Sequence, residues 1–141
     1  MGDVEEITAL VYRYAELLDG GDIDGVVELF ADAAWRSGAT GEVRRGHAQI
    51  RDVYDHVVLY DGIPRTRHLM TNVTVDVDDG ADEATGRCEF TVIQGVDDGA
   101  PIATILGGRY LDRYRRGPDG WRFAEREFIA DLLGDQSRHF R

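Results

Sequence analysis

The side chain in this sequence best suited to proton transfer is His68, within the stretch 65–72 that reads RTRHLMTN. It follows a loop containing Gly62 and Pro64 and enters a run of residues typical of a strand. Imidazole titrates near neutral pH, so a histidine at the end of such a loop is a candidate general acid or base. The alternative is a histidine that only satisfies packing at the start of a strand.

A second candidate is Asp19, which ends a segment of helical periodicity immediately before Gly20 and Gly21. A carboxylate can orient an imidazole by accepting a hydrogen bond from one ring nitrogen. Aspartate is also common beside glycine in turns, and a carboxylate at a helix C-terminus meets the unfavourable end of the helix dipole. The residues alone therefore leave a functional and a turn-forming role open for Asp19.

Composition and charge restrict the classes of function. The chain has 141 residues, of which 43% are hydrophobic, so it is long enough to bury a core. We expect one domain over residues 1–141, with a tail at 134–141 in which Phe140 can lie over an opening. The net charge of −11, without a lysine-rich patch, argues against nucleic acid and anionic membranes as partners.

The expected compartment is the cytoplasm. No apolar run reaches the roughly 18 residues that a membrane span needs, and the first residues carry no basic-then-apolar signal. The single cysteine, Cys88, has no internal disulfide partner, which fits a reducing environment. Cys88 lies among apolar strand residues and is interpreted as core, not as a nucleophile.

The first half of the chain predicts three helices. In the first, an apolar stripe runs from Ile7 to Leu18, with Asp3 and Glu6 at the spacing of a capping box. Asp22 is expected to cap a shorter second helix, and the third is expected over residues 48–58. Between the second and third, residues 34–37 and 42–45 flank a glycine-rich turn and predict a small hairpin.

The second half predicts four strands with period-two patterning, at residues 67–76, 85–96, 102–115 and 121–132. These runs exceed the usual strand length of about 5–6 residues, and long antiparallel strands curl into a concave sheet. Gly107 and Gly108, inside the third strand, are interpreted as a bend. Helices followed by a meander indicate an α+β fold with the helices on one side of the sheet.

Four motifs in this order, YAELLD, DGVVELFADAA, RTRHLMTN and GRYLDRYRRGPDGWRFAER, resemble the SnoaL-like branch of the nuclear-transport-factor-2-like superfamily. The resemblance covers about residues 7–133. It implies a cone-shaped fold, in which a strongly curved antiparallel sheet wraps a long N-terminal helix around a deep apolar cavity. Within the superfamily, the chemical resemblance is to scytalone dehydratase, bile acid 7α-dehydratase and the lindane dehydrochlorinase.

The resemblance implies that His68 accepts a proton inside the cavity while Asp19 orients its ring, without a metal or organic cofactor. It also implies that Tyr14 and Arg126 assist a leaving group or oxyanion. Tyr14 belongs to the apolar helix stripe and could serve packing equally well. The residues that alternate with Arg126 along the last strand do not decide whether its side chain points inward or is a surface charge.

Five further residues are candidates for substrate binding: Phe30, Trp35, Tyr54, Met70 and Asn72. No His-x-His or His-Glu-x-x-His spacing predicts a metal site. The resulting hypothesis is a cofactor-independent lyase or isomerase acting on a small, largely apolar organic molecule. The alternative is a non-catalytic small-molecule-binding or subunit-assembly module on the same fold.

Two features depart from the dehydratases. Those enzymes carry a second acid or histidine on the strand after the catalytic histidine, where this chain has Glu89 near one strand end and Gln94 at the other. Loss of hydroxide is then harder, which favours a proton shift or cyclisation.

The second departure concerns the first long strand, where strict alternation places His68 on one face of the sheet and the valines from Val73 onward on the other face. We expect His68 inside and the valines outside, covered in a homo-oligomer (dimer or trimer), instead of a phase-changing bulge.

Overall fold

A computed structural model describes residues 2–141. Three helices and six strands follow one another as α1 (Asp3–Asp19), α2 (Ile23–Leu29), β1 (Ala34–Ser37), β2 (Val43–Arg45), α3 (Gly46–Tyr54), β3 (Thr66–Asp76), β4 (Glu83–Gln94), β5 (Ala103–Gly117) and β6 (Gly120–Leu133). The strands form one open sheet in the order β2-β1-β6-β5-β4-β3. The predicted α+β class is confirmed.

The sheet is mixed, not purely antiparallel as expected. The predicted hairpin forms from β1 and β2, and β1 then pairs in parallel with β6, with Ala34 opposite Glu125 and Ser37 opposite Phe128. All other neighbours are antiparallel. Because the hairpin extends the sheet beyond the last long strand, Trp35 lies against Phe128, with ring centroids 5.8 Å apart.

The long first helix packs its predicted stripe into the core, where Ile7, Val11 and Leu18 are at most 3% exposed. Its capping box is absent: the helix begins at Asp3, with Gly2 at the N-cap. The Asp3 carboxylate instead accepts hydrogen bonds from Arg116. Side-chain pairing with the distant β5–β6 turn thus replaces a local cap and anchors the start of α1.

The other helix ends follow local contacts. Asp22 caps α2 as predicted, since its Oδ1 accepts the backbone N–H of Gly25 at 2.8 Å. The third helix begins earlier and ends earlier than the predicted 48–58. It stops at Tyr54 because the chain turns there, and Val57 forms an isolated bridge with Phe140 of the tail.

Within residues 2–141, no helix is long and apolar enough to cross a membrane.

A bulge in β3 decides which side chains face the core. Thr71 pairs with Glu89 but Thr74 pairs with Arg87, so β3 contains one extra residue there. Asn72 absorbs it with a φ of 53°, in the left-handed region that asparagine tolerates. His68 points inward before the bulge, and the valines pack on the core after it.

The expectation of an outward valine face was therefore wrong, and the bulge was the right alternative. The valine-based argument for a homo-oligomer loses its premise with it. The predicted bend at Gly107–Gly108 is present, as a register shift between these residues. A Cβ at Gly108 would lie 2.0 Å from the Ile129 carbonyl oxygen, so only glycine permits this close approach.

Candidate active site

Asp19 and His68 meet where the last residue of α1 touches the start of β3. The Asp19 Oδ1 atom lies 2.6 Å from Nδ1 of His68, and Oδ2 accepts the His68 backbone N–H at 2.7 Å. The Thr66 hydroxyl donates to Oδ1 at 2.9 Å. These contacts hold the carboxylate against Nδ1 of His68. The other ring nitrogen, Nε2, makes no contact with Asp19.

The pair is largely withdrawn from solvent, with side chains 5% exposed for His68 and 13% for Asp19. Burial alone would raise the pKa of Asp19, but the hydrogen bonds and charge of His68, with the Thr66 hydroxyl, outweigh it and lower that pKa. Asp19 is therefore a carboxylate at neutral pH.

His68 lines a cavity of about 150 Å³ between the helices and the sheet. Its wall is mainly aromatic and aliphatic, with a few hydroxyl and imidazole groups: Tyr14, Leu18, Trp35, Val53, Tyr54, Val57, His68, Phe90, Leu106, Tyr110, Phe128, His139 and Phe140. Such a wall suits an apolar molecule oriented by few polar contacts. Within residues 2–141, no group of three or more His, Cys, Asp or Glu side chains is arranged to hold a metal ion.

Tyr14 both packs in the core and faces the cavity. It is 3% exposed and packs in the core, yet its ring also lines the cavity, 6.4 Å from the His68 ring centroid. Its hydroxyl oxygen lies 3.1 Å from that of Tyr54 and 3.4 Å from that of Tyr110. Burial raises the pKa of Tyr54 and of Tyr110, with Tyr14 adding to both shifts, so these two phenols stay protonated.

Arg126 is fully buried, which excludes the alternative of a surface charge. Its Nε and Nη2 donate to the two carboxylate oxygens of Asp112, each at 2.8 Å. The guanidinium lies over the rings of Tyr110 (3.8 Å) and Tyr14 (4.6 Å). Burial alone would lower the pKa of Arg126, but Asp112 outweighs it and the group stays cationic. Arg126 thus lies behind the tyrosines and is not part of the cavity wall.

The five candidate substrate-binding residues divide into two groups. Trp35 and Tyr54 line the cavity. Phe30, Met70 and Asn72 do not: Phe30 and Met70 lie in the core, and Asn72 is an exposed residue of the bulge. Met70 shares the inward face of β3 with His68, ahead of the bulge, but packs in the core and not in the cavity wall.

Glu89 also lies outside the cavity. It is exposed, and its Oε2 accepts a hydrogen bond from the Asn72 amide at 3.0 Å. Gln94, at the other end of β4, donates to the backbone oxygens of Pro64 (3.2 Å) and Arg138 (3.0 Å). Strand β4 therefore supplies no carboxyl group to the cavity, as its sequence suggested.

Sequence reasoning missed His139. The tail folds back across the cavity mouth, where the His139 oxygen accepts the Val58 N–H at 2.8 Å and Phe140 bridges to Val57. His139 is 2% exposed, and its ring centroid lies 6.3 Å from that of His68. Burial, and then the charge of His68, lower the pKa of His139 to about 4, so the ring is neutral near pH 7. The one available signal was Phe140, expected over an opening and found in the cavity wall.

Comparisons with known proteins agree on the family. Residues 1–127 match the family described as the SnoaL-like domain. A protein of unknown function from Mycobacterium tuberculosis is 30% identical, with a TM-score of 0.74 over 92% of this chain and 72% of its own. An NTF2-like protein with a cystatin-like fold from Novosphingobium aromaticivorans is 28% identical, with a TM-score of 0.72 over 96% of this chain and 86% of its own.

One further neighbour shows similarity of fold alone. It is a candidate scytalone dehydratase from Novosphingobium aromaticivorans, 20% identical to this chain, with a TM-score of 0.74. The alignment covers 93% of this chain and 85% of that one.

Proposed function

This chain belongs to the SnoaL-like domain family, and from that premise we propose that it is a cofactor-independent lyase or isomerase. Its substrate would be a small, largely apolar organic molecule. His68 is the general base, and Asp19 positions its ring. The observation that carries the proposal is the 2.6 Å contact between Asp19 and His68 in the wall of an apolar cavity.

The proposed chemistry begins with the tautomer of His68. With the Asp19 carboxylate accepting a hydrogen bond from Nδ1–H, the Nε2 atom carries a lone pair that can remove a proton from carbon. The imidazolium formed in this step is stabilised by the Asp19 charge, which acts strongly in a cavity with little water. General-base help of this kind contributes about 10²–10⁴-fold in rate.

Negative charge that develops on the substrate needs hydrogen-bond donors. The cluster of Tyr14, Tyr54 and Tyr110 hydroxyls supports this role, because the Tyr14 hydroxyl lies 3.1 Å from that of Tyr54 and 3.4 Å from that of Tyr110. Arg126, stacked on Tyr14 and Tyr110, adds a fixed positive charge behind them. In this proposal Arg126 acts through the tyrosines, as a positioning residue.

A proton shift is favoured over dehydration. Expulsion of hydroxide requires an acid, and Asp19, which is not itself in the cavity wall, is held as a carboxylate. Strand β4 contributes no carboxyl group either. A base with hydrogen-bond donors but no strong acid suits enolisation, isomerisation or ring closure better.

Proton removal can be tested before the natural substrate is known. Single-ring ketones and enones would be incubated with the protein in D₂O, with ¹H NMR following loss of the signals from protons beside the carbonyl. Wild-type protein should accelerate exchange for at least one compound, and His68→Ala should reduce that acceleration by about 10²–10⁴-fold. An active His68→Ala variant would overturn the proposed mechanism. His47→Gln, at an exposed site bound to Glu28, is the matched control.

One observation favours the alternative, a non-catalytic binding module. The cavity volume of about 150 Å³ is below the 300–1,000 Å³ typical of ligand pockets. A binder needs no proton transfer, so the two functions separate in the same assay. Ligand binding without any exchange, equal in wild-type and His68→Ala protein, supports the binding module.

A further inference from the structure

We propose that His139 is a second polar ligand-binding residue, which hydrogen-bonds an oxygen atom of the substrate while an acidic C–H of the same molecule faces His68. The inference rests on the proposed function for the role of His68. It extends that function to a substrate class, namely a single-ring compound with a carbonyl or enol oxygen. The location of His139 in the same cavity wall as His68 is its first support.

The two imidazoles are close neighbours in the wall of one cavity. Their ring centroids are 6.3 Å apart and their planes are tilted by 59°. A ligand in the cavity beside them can present neighbouring atoms to the two rings, each at a hydrogen-bond distance of about 3 Å. A carbonyl compound presents an oxygen and an adjacent acidic C–H on neighbouring atoms, so it can use both rings at once.

His139 has unused hydrogen-bonding capacity. Neither ring nitrogen of His139 makes a hydrogen bond among residues 2–141; Nδ1 is enclosed by protein atoms, so Nε2 is the nitrogen that can reach a ligand in the cavity. Its backbone groups are occupied, because the N–H donates to the Gln136 oxygen at 3.0 Å and the oxygen accepts from Val58. Buried polar atoms without partners are uncommon. A ligand oxygen or hydroxyl in the cavity is a natural partner for a ring that the tail already holds in place.

The protonation state sets the kind of contact. Burial, with a further contribution from His68 and an opposing one from Asp19, keeps the His139 ring neutral. Neutral imidazole has one N–H donor and one acceptor nitrogen. The N–H can stabilise a carbonyl or enolate oxygen without transferring a full proton to it. This agrees with a proton shift at carbon as the reaction.

The cavity limits the ligand to about one ring. Its volume is about 150 Å³, and an apolar cavity of that size in another protein accommodates benzene. Phenol and toluene are then suitable probes, because they have nearly the same shape and differ in the oxygen that His139 is proposed to bind. The ratio of their affinities isolates that contact from packing.

The test is an NMR titration of the full chain with phenol and with toluene. His139→Phe keeps a planar ring but removes both nitrogens, and should lower the preference for phenol by about 10-fold or more. His139→Gln retains an N–H donor and should restore part of the preference. His47→Gln, at an exposed histidine, should match the wild type.

Other outcomes overturn the inference. An unchanged phenol preference in His139→Phe means that another group binds the oxygen, and no binding of phenol by the wild type means that the cavity is not such a site. If His139→Phe is unfolded, the ring ¹⁵N shifts of His139 in wild-type protein decide: no change on saturation with phenol contradicts the proposal. Phenol is not turned over, so these results are independent of any failure of the exchange assay.

Discussion

The carboxylate of Asp19 contacts His68 twice, through the ring Nδ1 at 2.6 Å and through the backbone N–H at 2.7 Å. One side chain at the end of α1 therefore fixes both the position of β3 and the orientation of the imidazole. The geometry of the proposed catalytic pair and the stability of the fold are coupled at this point, so changes at Asp19 should affect both.

Asp19→Asn should lower the free energy of unfolding by about 2 kcal/mol at neutral pH, because hydrogen bonds to a charged acceptor are lost. The folded pKa of Asp19 lies below its ordinary value of 3.8, so its stabilisation is present above that pH and is lost as pH falls through the folded pKa. Urea unfolding at neutral and strongly acidic pH should show a difference that shrinks in acid. A constant difference would contradict the charge-based account.

His139 should make the protein less stable in mild acid. An unfolded histidine has a pKa near 6.5, and burial lowers that of folded His139 to about 4. As pH falls between these values, the unfolded chain binds a proton that the folded ring does not, which costs up to about 3 kcal/mol. His139→Gln should flatten the pH dependence of the unfolding free energy over this interval.

The control for this pH effect is His47→Gln, which removes an exposed histidine. It should leave the slope of the wild type unchanged. Equal slopes for wild type, His139→Gln and His47→Gln would mean that His139 titrates normally in the folded protein.

Removing one charge of the buried Arg126–Asp112 pair should lower the free energy of unfolding more than removing both charges. Both side chains are 0% exposed. Arg126→Met leaves an unpaired buried carboxylate and should destabilise by about 3–5 kcal/mol in urea unfolding. Adding Asp112→Asn removes that charge, keeps an oxygen that can accept from the Tyr114 hydroxyl, and should recover at least ~1 kcal/mol.

Arg113→Met is the surface comparison, since Arg113 pairs with Glu125 and its side chain is 57% exposed. Its effect should stay within about 1 kcal/mol. If the Arg126→Met protein and the double variant are equally stable, the unpaired charge is not the source of the loss.

Asn72, at the bulge, has a φ of 53°, so we expect this position to accept glycine but not a β-branched residue. Asn72→Gly should change the unfolding free energy by less than about 0.5 kcal/mol, whereas Asn72→Val should cost about 1–2 kcal/mol because a β-branched residue resists this conformation. Thr71→Val, at the neighbouring exposed strand position, serves as the control. Thermal melts in which both valine variants behave alike would argue against the strained backbone.

Much of the architecture follows from local patterns. The apolar stripe of α1, the Asp22 cap and the period-two runs each depend on residues close in sequence, and each predicted element exists. Boundaries were less accurate where distant partners compete, as at Asp3, which binds Arg116 instead of capping its own helix. The pairing of Asp19 with His68 followed from the family resemblance, since no spacing rule relates residues so far apart.

Sequence alone thus determined the α+β class and the family, because periodicity and motifs are properties of neighbouring positions, and the family resemblance then pointed to the two residues of the central pair. Only the tertiary structure decided which groups surround that pair. One extra residue at the β3 bulge reverses the phase of the strand, and the path of the tail brings His139 to the cavity. Both depend on long-range packing, where a shift of one position changes what every later side chain contacts.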